Sequence, residues 1–293
     1  MEEKTAGYER GAAPSKEGAC ASRESAPWDI VVQPGPVMVT AIHAGHTIRP
    51  SLQPWLELGD EERLREEDPL TDYFLPAGDT LVRANRSRFE FDLNRPPATA
   101  VTTDPADTWG LEVWNPALPE AERQRSLDLH RRFYEWVAER VEAMIARHER
   151  ILVLDIHSYN HRRDGQDADP ADPAANPDID LGATTLDSEI FGGLHDEIAE
   201  GLRSRRLAGR TPDVRTNVRW KDGGHFPEWL HARYGAAACV MTLEYKKVFM
   251  DEWGRTADII ALQDLREGFL AAIDRARVWL AANCARGRSK AGA

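Results

Sequence analysis

Read for apolar and polar positions, the chain falls into short apolar runs separated by amphipathic stretches. Val37-Met-Val-Thr-Ala-Ile42, Ile151-Leu-Val-Leu-Asp-Ile156 and Cys239-Val-Met-Thr-Leu243 are each broken by a single polar residue. Runs of this length without strict alternation predict strands buried on both faces. Leu127, Leu129, Phe133, Trp136, Val137, Val141, Met144 and Ile145 recur at spacings near three and four, which predicts a long helix over about 118–148, with Pro119 in its first turn. Further helices are expected near 59–67, 187–207, 225–234 and 261–283. Further strands are expected at 213–218 and at Phe89-Glu-Phe-Asp-Leu93, whose alternation suits a strand with one wet face. Strands alternating with helices imply parallel pairing and right-handed crossovers. The expected fold class is α/β: a single three-layer domain built on a mostly parallel mixed sheet with helices on both faces.

Composition sets the limits of that domain. Residues 1–27 are rich in Glu, Lys, Ala, Gly and Ser and predict a disordered tail, 28–285 the folded domain, and 286–293 a flexible C-terminal tail. Residues 160–182, rich in Asp and Pro, are expected to form a long functional loop. The formal charge of −12 provides no basic face for nucleic acid. No run approaches the ~18 apolar residues of a membrane span. The three cysteines, at 20, 239 and 284, form no CxxC, so neither a disulfide framework nor a thiolate zinc site is expected and the compartment reads as cytoplasmic. The pattern does not address oligomeric state.

Each of the three buried runs leads to a residue of catalytic type. The first ends at His43-Ala-Gly-His46, the second at His157 and the third at Glu244. Sites in open α/β sheets form at the carboxyl ends of strands. Imidazole is a common zinc ligand, and a catalytic zinc takes about three protein ligands plus a water. His43 and His157 are the first candidates, with His46 and Asp72 competing for the remaining place. His130, His148, His195 and His231 read as ordinary hydrogen-bonded histidines. A carboxylate closing a buried strand is costly unless paired or working. Glu244 therefore either pairs with Lys246 or Lys247, or serves as general base and then general acid beside a metal. Arg88, Asn94 and Arg95 are candidates to clamp an anionic substrate, because guanidinium matches carboxylate bidentately. Their alternative is a solvated surface strand. Gly223-Gly-His-Phe226 marks a helix start, with His225 in packing, and the aromatics of Trp109–Trp114 and Tyr245–Trp253 are expected to pack loops around the cleft.

Four of these motifs, in order, resemble the N-formylglutamate amidohydrolase family, which is related in fold to the zinc carboxypeptidases and aspartoacylases. They are His43-Ala-Gly-His-Thr-Ile48, the segment from Ser87-Arg88 through Asp92-Leu-Asn-Arg-Pro96, Asp155-Ile-His-Ser-Tyr159, and Thr242-Leu-Glu-Tyr245. The resemblance runs over about 37–275. It implies a hydrolase with one Zn2+ per chain that cleaves the amide of a small, anionic N-acyl amino acid, N-formyl-L-glutamate first among them. It further implies His43 and His157 as ligands, Glu244 as general acid/base, and Arg88, Asn94 and Arg95 around the substrate carboxylate or the developing oxyanion. Carboxypeptidases carry a glutamate three residues after the first histidine, where this chain has His46. A carboxypeptidase, another deacylase, and a non-catalytic binding protein on the same fold are the alternatives.

Overall fold

A computed structural model of the protein describes residues 26–220 and 223–290. The expected N-terminal tail lies outside the described residues except for 26 and 27, as do Cys20 and the last three residues of the expected C-terminal tail. In chain order the main elements are β1 (Trp28–Val32), β2 (Val37–Ala41), α1 (Asp60–Glu66), β3 (Thr80–Ala84), α2 (Glu120–His148), β4 (Ile151–Tyr159), β5 (Ile179–Gly182), α3 (Ser188–Arg203), β6 (Val214–Thr216), α4 (His225–Tyr234), β7 (Ala238–Lys246) and α5 (Ile259–Lys290).

The strands form one mixed sheet in the order β1-β3-β2-β4-β7-β5-β6. Pairings β2–β3, β2–β4, β4–β7 and β5–β6 are parallel; β1–β3 and β5–β7 are antiparallel. Alternation along the central strands divides their side chains between two cores. Val37, Val39, Leu152, Leu154, Met241 and Leu243 pack with residues of α3 and α5, among them Phe191, Leu194, Leu265 and Phe269. Met38, Ile151, Val153 and Val240 face the other way, onto Phe133, Val137 and Val141 of α2 and Phe226 and Leu230 of α4. The expected α/β architecture, with helices on both faces of a mostly parallel mixed sheet, is the observed one.

Three differences have physical causes. Phe89–Leu93 is a turn region, not a strand. Its polar positions are not on a wet face, because Glu90 and Asp92 are buried along with Phe89, Phe91 and Leu93. Each carboxylate meets a cation: Glu90 takes the fully buried Arg49 at 2.8 Å and Asp92 takes Arg88 at 2.8 Å. The expected loop 160–182 contains a strand, β5, whose four residues are all buried. It is too short for its periodicity to stand out among the neighbouring prolines. Finally, β1 and β3 were not anticipated; they pair with each other at the sheet edge, each mixing buried and part-exposed positions.

Candidate metal centre and catalytic cleft

His43 lies two residues past the end of β2, where the chain turns sharply against β3. A Cβ on Gly45 would fall 2.3 Å from the Arg86 carbonyl oxygen, so only glycine allows this turn to lie flat. The segment after α1 then comes back to the same point. The Asp68 backbone N–H donates to the His43 carbonyl at 3.0 Å, and the turn beyond it holds Leu70 at φ 68°. His157 lies within β4, beside β2. These paths bring three buried side chains together. His43, Asp68 and His157 offer ligand atoms that all lie within 4.8 Å of one another, and among the described residues this is the group suited to a metal ion.

The two imidazoles are held alike. Nε2 of His43 donates to Asp92 Oδ1 at 2.7 Å, and Nε2 of His157 donates to Asp155 Oδ2 at 2.7 Å. Thr40, the register partner of Asp155 on β2, donates its hydroxyl to the other oxygen of that carboxylate. Both Nδ1 atoms therefore turn towards Asp68 Oδ2, at 3.4 Å from His43 and 3.0 Å from His157. The Nδ1 of His43 is buried with no hydrogen-bond partner. Ser158 holds the second oxygen of Asp68 at 3.2 Å. Histidine ligands commonly give their outward N–H to a carboxylate, which fixes the ring and raises its basicity. An orphaned imidazole nitrogen, a second imidazole and a carboxylate oxygen, with both rings braced in this way, fit a divalent metal.

The charges follow from the contacts. Burial opposes ionisation of Asp68, but the hydrogen bond from His157 and the imidazole of His43 close by outweigh it and hold the carboxyl far below its usual range. Burial likewise disfavours a charged His157, yet Asp155 and Asp68 keep it protonated well above the ordinary imidazole value. Asp92 is buried too, and Arg88 with His43 holds it well below the usual range.

Neither sequence candidate for the second ligand lies in this group. His46 has a side chain 39% exposed and turns its Nδ1 to Glu67 Oε2 at 2.6 Å. Asp72 pairs with Arg83 at 2.7 Å in the 3-10 turn Thr71–Ala77. The carboxylate in the group is Asp68. In sequence it is one carboxylate in the run Glu66-Glu67-Asp68, and no period separates it from its neighbours. Asp155 did carry a signal, as the one charged residue in an apolar strand and two positions from His157 on the same face.

Glu244 stands beside the group on β7 as the register partner of His157. Its side chain has no hydrogen bond or ion pair among the described residues. The lysines that were the alternative partners are engaged elsewhere: Lys246 donates to the Asn176 carbonyl at 2.8 Å, and buried Lys247 donates to the carbonyls of Arg65 and Glu67 at 2.6 and 2.8 Å. Burial pushes the Glu244 carboxyl up to about 8, with Asp68 and Asp155 adding to the shift against His157. Arg88 donates from Nη2 and Nε to Asp92 Oδ2 at 2.8 and 3.1 Å, and lies 5.0 Å over the Trp109 ring. Arg95 approaches the same carboxylate at 3.5 Å. Asn94 Oδ1 accepts the Phe226 N–H at 3.0 Å, fixing the start of α4. The exposed Trp109 lies beside both arginines, with Arg95 at 6.0 Å from its ring.

The chain matches the N-formylglutamate amidohydrolase family over residues 35–247. It belongs to that family. Among solved structures, the N-formylglutamate amidohydrolase of Ralstonia eutropha JMP134 is similar in fold at 20% identity, with a TM-score of 0.68 over 87% of this chain and 98% of that one. An Agrobacterium tumefaciens gene product aligns at 21% identity and a TM-score of 0.49, over 88% and 92% of the two chains. A metallo-carboxypeptidase from Burkholderia cenocepacia aligns at 16% identity and a TM-score of 0.38, over 86% and 61%. No curated protein matches this chain. The family assignment makes the chain an amidohydrolase acting on a small molecule. Among the described residues no helix is long and apolar enough to cross a membrane.

Proposed function

We propose that this amidohydrolase is zinc-dependent and cleaves the amide of an N-acyl amino acid, converting N-formyl-L-glutamate and water to formate and L-glutamate. The observation that carries the reading is the pairing of two braced imidazoles around one carboxylate oxygen beside an unpaired glutamate. His43, Asp68 and His157 would hold one zinc per chain. Zinc in such a site supplies Lewis acidity, polarising a carbonyl and making water nucleophilic near neutral pH.

The remaining work belongs to the chain. Glu244 takes a proton from the attacking water and returns it to the departing amino group, the two roles open to a carboxyl whose pKa is raised towards neutrality. Arg88, held in place by Asp92 and Trp109, presents positive charge to the oxyanion that develops as the carbonyl is attacked. Arg95 and the amide NH2 of Asn94, which has no hydrogen-bond partner among the described residues, receive a substrate carboxylate. The unpaired thiols of Cys239 and Cys284 support a reducing, cytoplasmic location.

Metal content and formate release from N-formyl-L-glutamate, measured together on wild type and His157→Ala, test the reading. About one zinc per chain with turnover, both lost in the variant, is the expected result. Turnover that persists in metal-free protein would overturn it.

A further inference from the structure

Arg88 and Arg95 share one carboxylate, Asp92, on the β2 side of the cleft. On the β5 side lies an arginine whose guanidinium forms no ion pair among the described residues. Arg219 follows β6 in a segment held by Asp180, which accepts the backbone N–H groups of Val218, Arg219 and Trp220 at 3.0, 2.7 and 3.3 Å. Asp180 is itself the register partner of Glu244 on β7, so this anchor fixes Arg219 next to the proposed general base. The guanidinium carbon sits 4.4 Å over the ring of Tyr159, two residues past His157 on β4. One of its N–H groups goes to Asn176 Oδ1. Its Nε is buried without a partner, and no ion pair reaches it among the described residues. Its charge and that of Glu244 bear on one another.

A part-buried cation without a counter-ion is costly, and the cost is recovered when an anion arrives. The stacked, backbone-anchored geometry also fixes the guanidinium fork in advance, which favours bidentate capture of a carboxylate. Burial and the nearby Arg163 lower the Arg219 pKa from its usual value, yet a guanidinium stays charged at neutral pH.

We propose that Arg219 forms a second cationic pole of the substrate site and binds one carboxylate of a dicarboxylic N-acyl amino acid, the other carboxylate lying towards Arg95 and Asn94. The identity of the ligand rests on the hydrolase reading; the anion site does not. Two cationic poles flanking one reacting centre select a diacid over either of its mono-amides.

The test compares wild type with Arg219→Gln and Arg219→Lys, all zinc-loaded. Substrates are N-formyl-L-glutamate, N-formyl-L-glutamine and N-formyl-L-isoglutamine; the ligand probes are glutarate and butyrate, titrated calorimetrically. Arg219→Gln is expected to lose on the order of 10–100-fold in kcat/KM for the diacid, mainly through KM. Its preference for the diacid over one of the two mono-amides should fall to near parity, and Arg219→Lys should recover part of the loss. Glutarate should bind more tightly than butyrate to wild type only. Equal losses on all three substrates, an unchanged KM for the diacid, or no glutarate binding by wild type would each overturn the proposal. Arg219-dependent glutarate binding by a protein that cleaves no N-formyl amino acid would instead sink the hydrolase reading and leave the anion pole standing. N-formylglutamate turnover with unaltered selectivity in Arg219→Gln would do the reverse.

Discussion

His157 and Glu244 are direct register partners on the adjacent parallel strands β4 and β7, and they carry opposite kinds of surroundings. His157 is gripped by two carboxylates, whereas the Glu244 side chain has no hydrogen-bond partner among the described residues. A strand pair sets their separation, so the proposed proton carrier is fixed relative to His157 without depending on a loop. Glu244→Gln removes the proton-accepting oxygen and keeps the shape. It is expected to retain its zinc and lose about 10²–10⁴-fold in kcat for N-formyl-L-glutamate. Metal analysis beside initial-rate measurements checks both halves; wild-type turnover in the variant would eliminate Glu244 as the base.

Metal loading should discriminate sharply among the acidic and imidazole side chains of this region. His43→Ala, Asp68→Ala and His157→Ala are expected to purify with almost no zinc. His46→Ala and Asp72→Ala should keep it, because those side chains are bonded to Glu67 and Arg83 instead. Asp92→Asn and Asp155→Asn disturb the braces and leave the three side chains of the group in place, and should weaken zinc affinity by about 10–100-fold. Competition with a chelator of known affinity reads these differences. Full zinc content in Asp68→Ala would remove it from the ligand set.

How much of this could be read in the sequence depends on what made each residue distinctive. His43, His157 and Glu244 each follow or close a short apolar run, and runs of that length read as buried strands. Their convergence follows from β2, β4 and β7 being neighbours in a mostly parallel sheet. Asp68 lies on no run. It reaches the site because its segment folds back to hydrogen-bond the His43 backbone, a long-range pairing that leaves no local trace. Phe89–Leu93 misled for a related reason: alternation reports a wet face only if the polar residues stay wet, and here Glu90 and Asp92 are buried against arginines. Arg219 carries no signal in the sequence, since nothing in its neighbourhood says that its guanidinium forms no ion pair among the described residues.

Arg49 offers a stability test away from the chemistry. Its side chain is fully buried and donates to Glu90 at 2.8 Å, to Ser126 at 2.7 Å and to Glu122 at 2.9 and 3.0 Å. It thereby ties α2 to the segment that carries Arg88 and Asp92. Arg49→Met leaves Glu90 buried without this partner, and breaking such a pair from one side costs about 3–5 kcal/mol. Denaturant unfolding of the zinc-loaded protein measures the loss. A change below ~1 kcal/mol would mean that Glu90 finds compensation elsewhere.

Acid sensitivity should trace in part to Asp178 at the start of β5. Burial pushes its carboxyl up, but Arg210, the Asp213 N–H and Lys246 outweigh burial and bring it down to about 2 from the ordinary 3.8. A carboxyl depressed in the folded state contributes stability that is fully present above its unfolded pKa and is lost as pH falls through the folded one. The window therefore opens near pH 4 and closes near pH 2. Because Arg210 is about half exposed, solvent screening limits the contribution to on the order of 1 kcal/mol. Asp178→Asn should be less stable than wild type at pH 6, and the gap should shrink as pH is lowered from 4 towards 3. Denaturation midpoints taken at both ends of that range decide the matter: a gap that stays constant across it would show that Asp178 acts through its hydrogen-bond geometry and not through its charge.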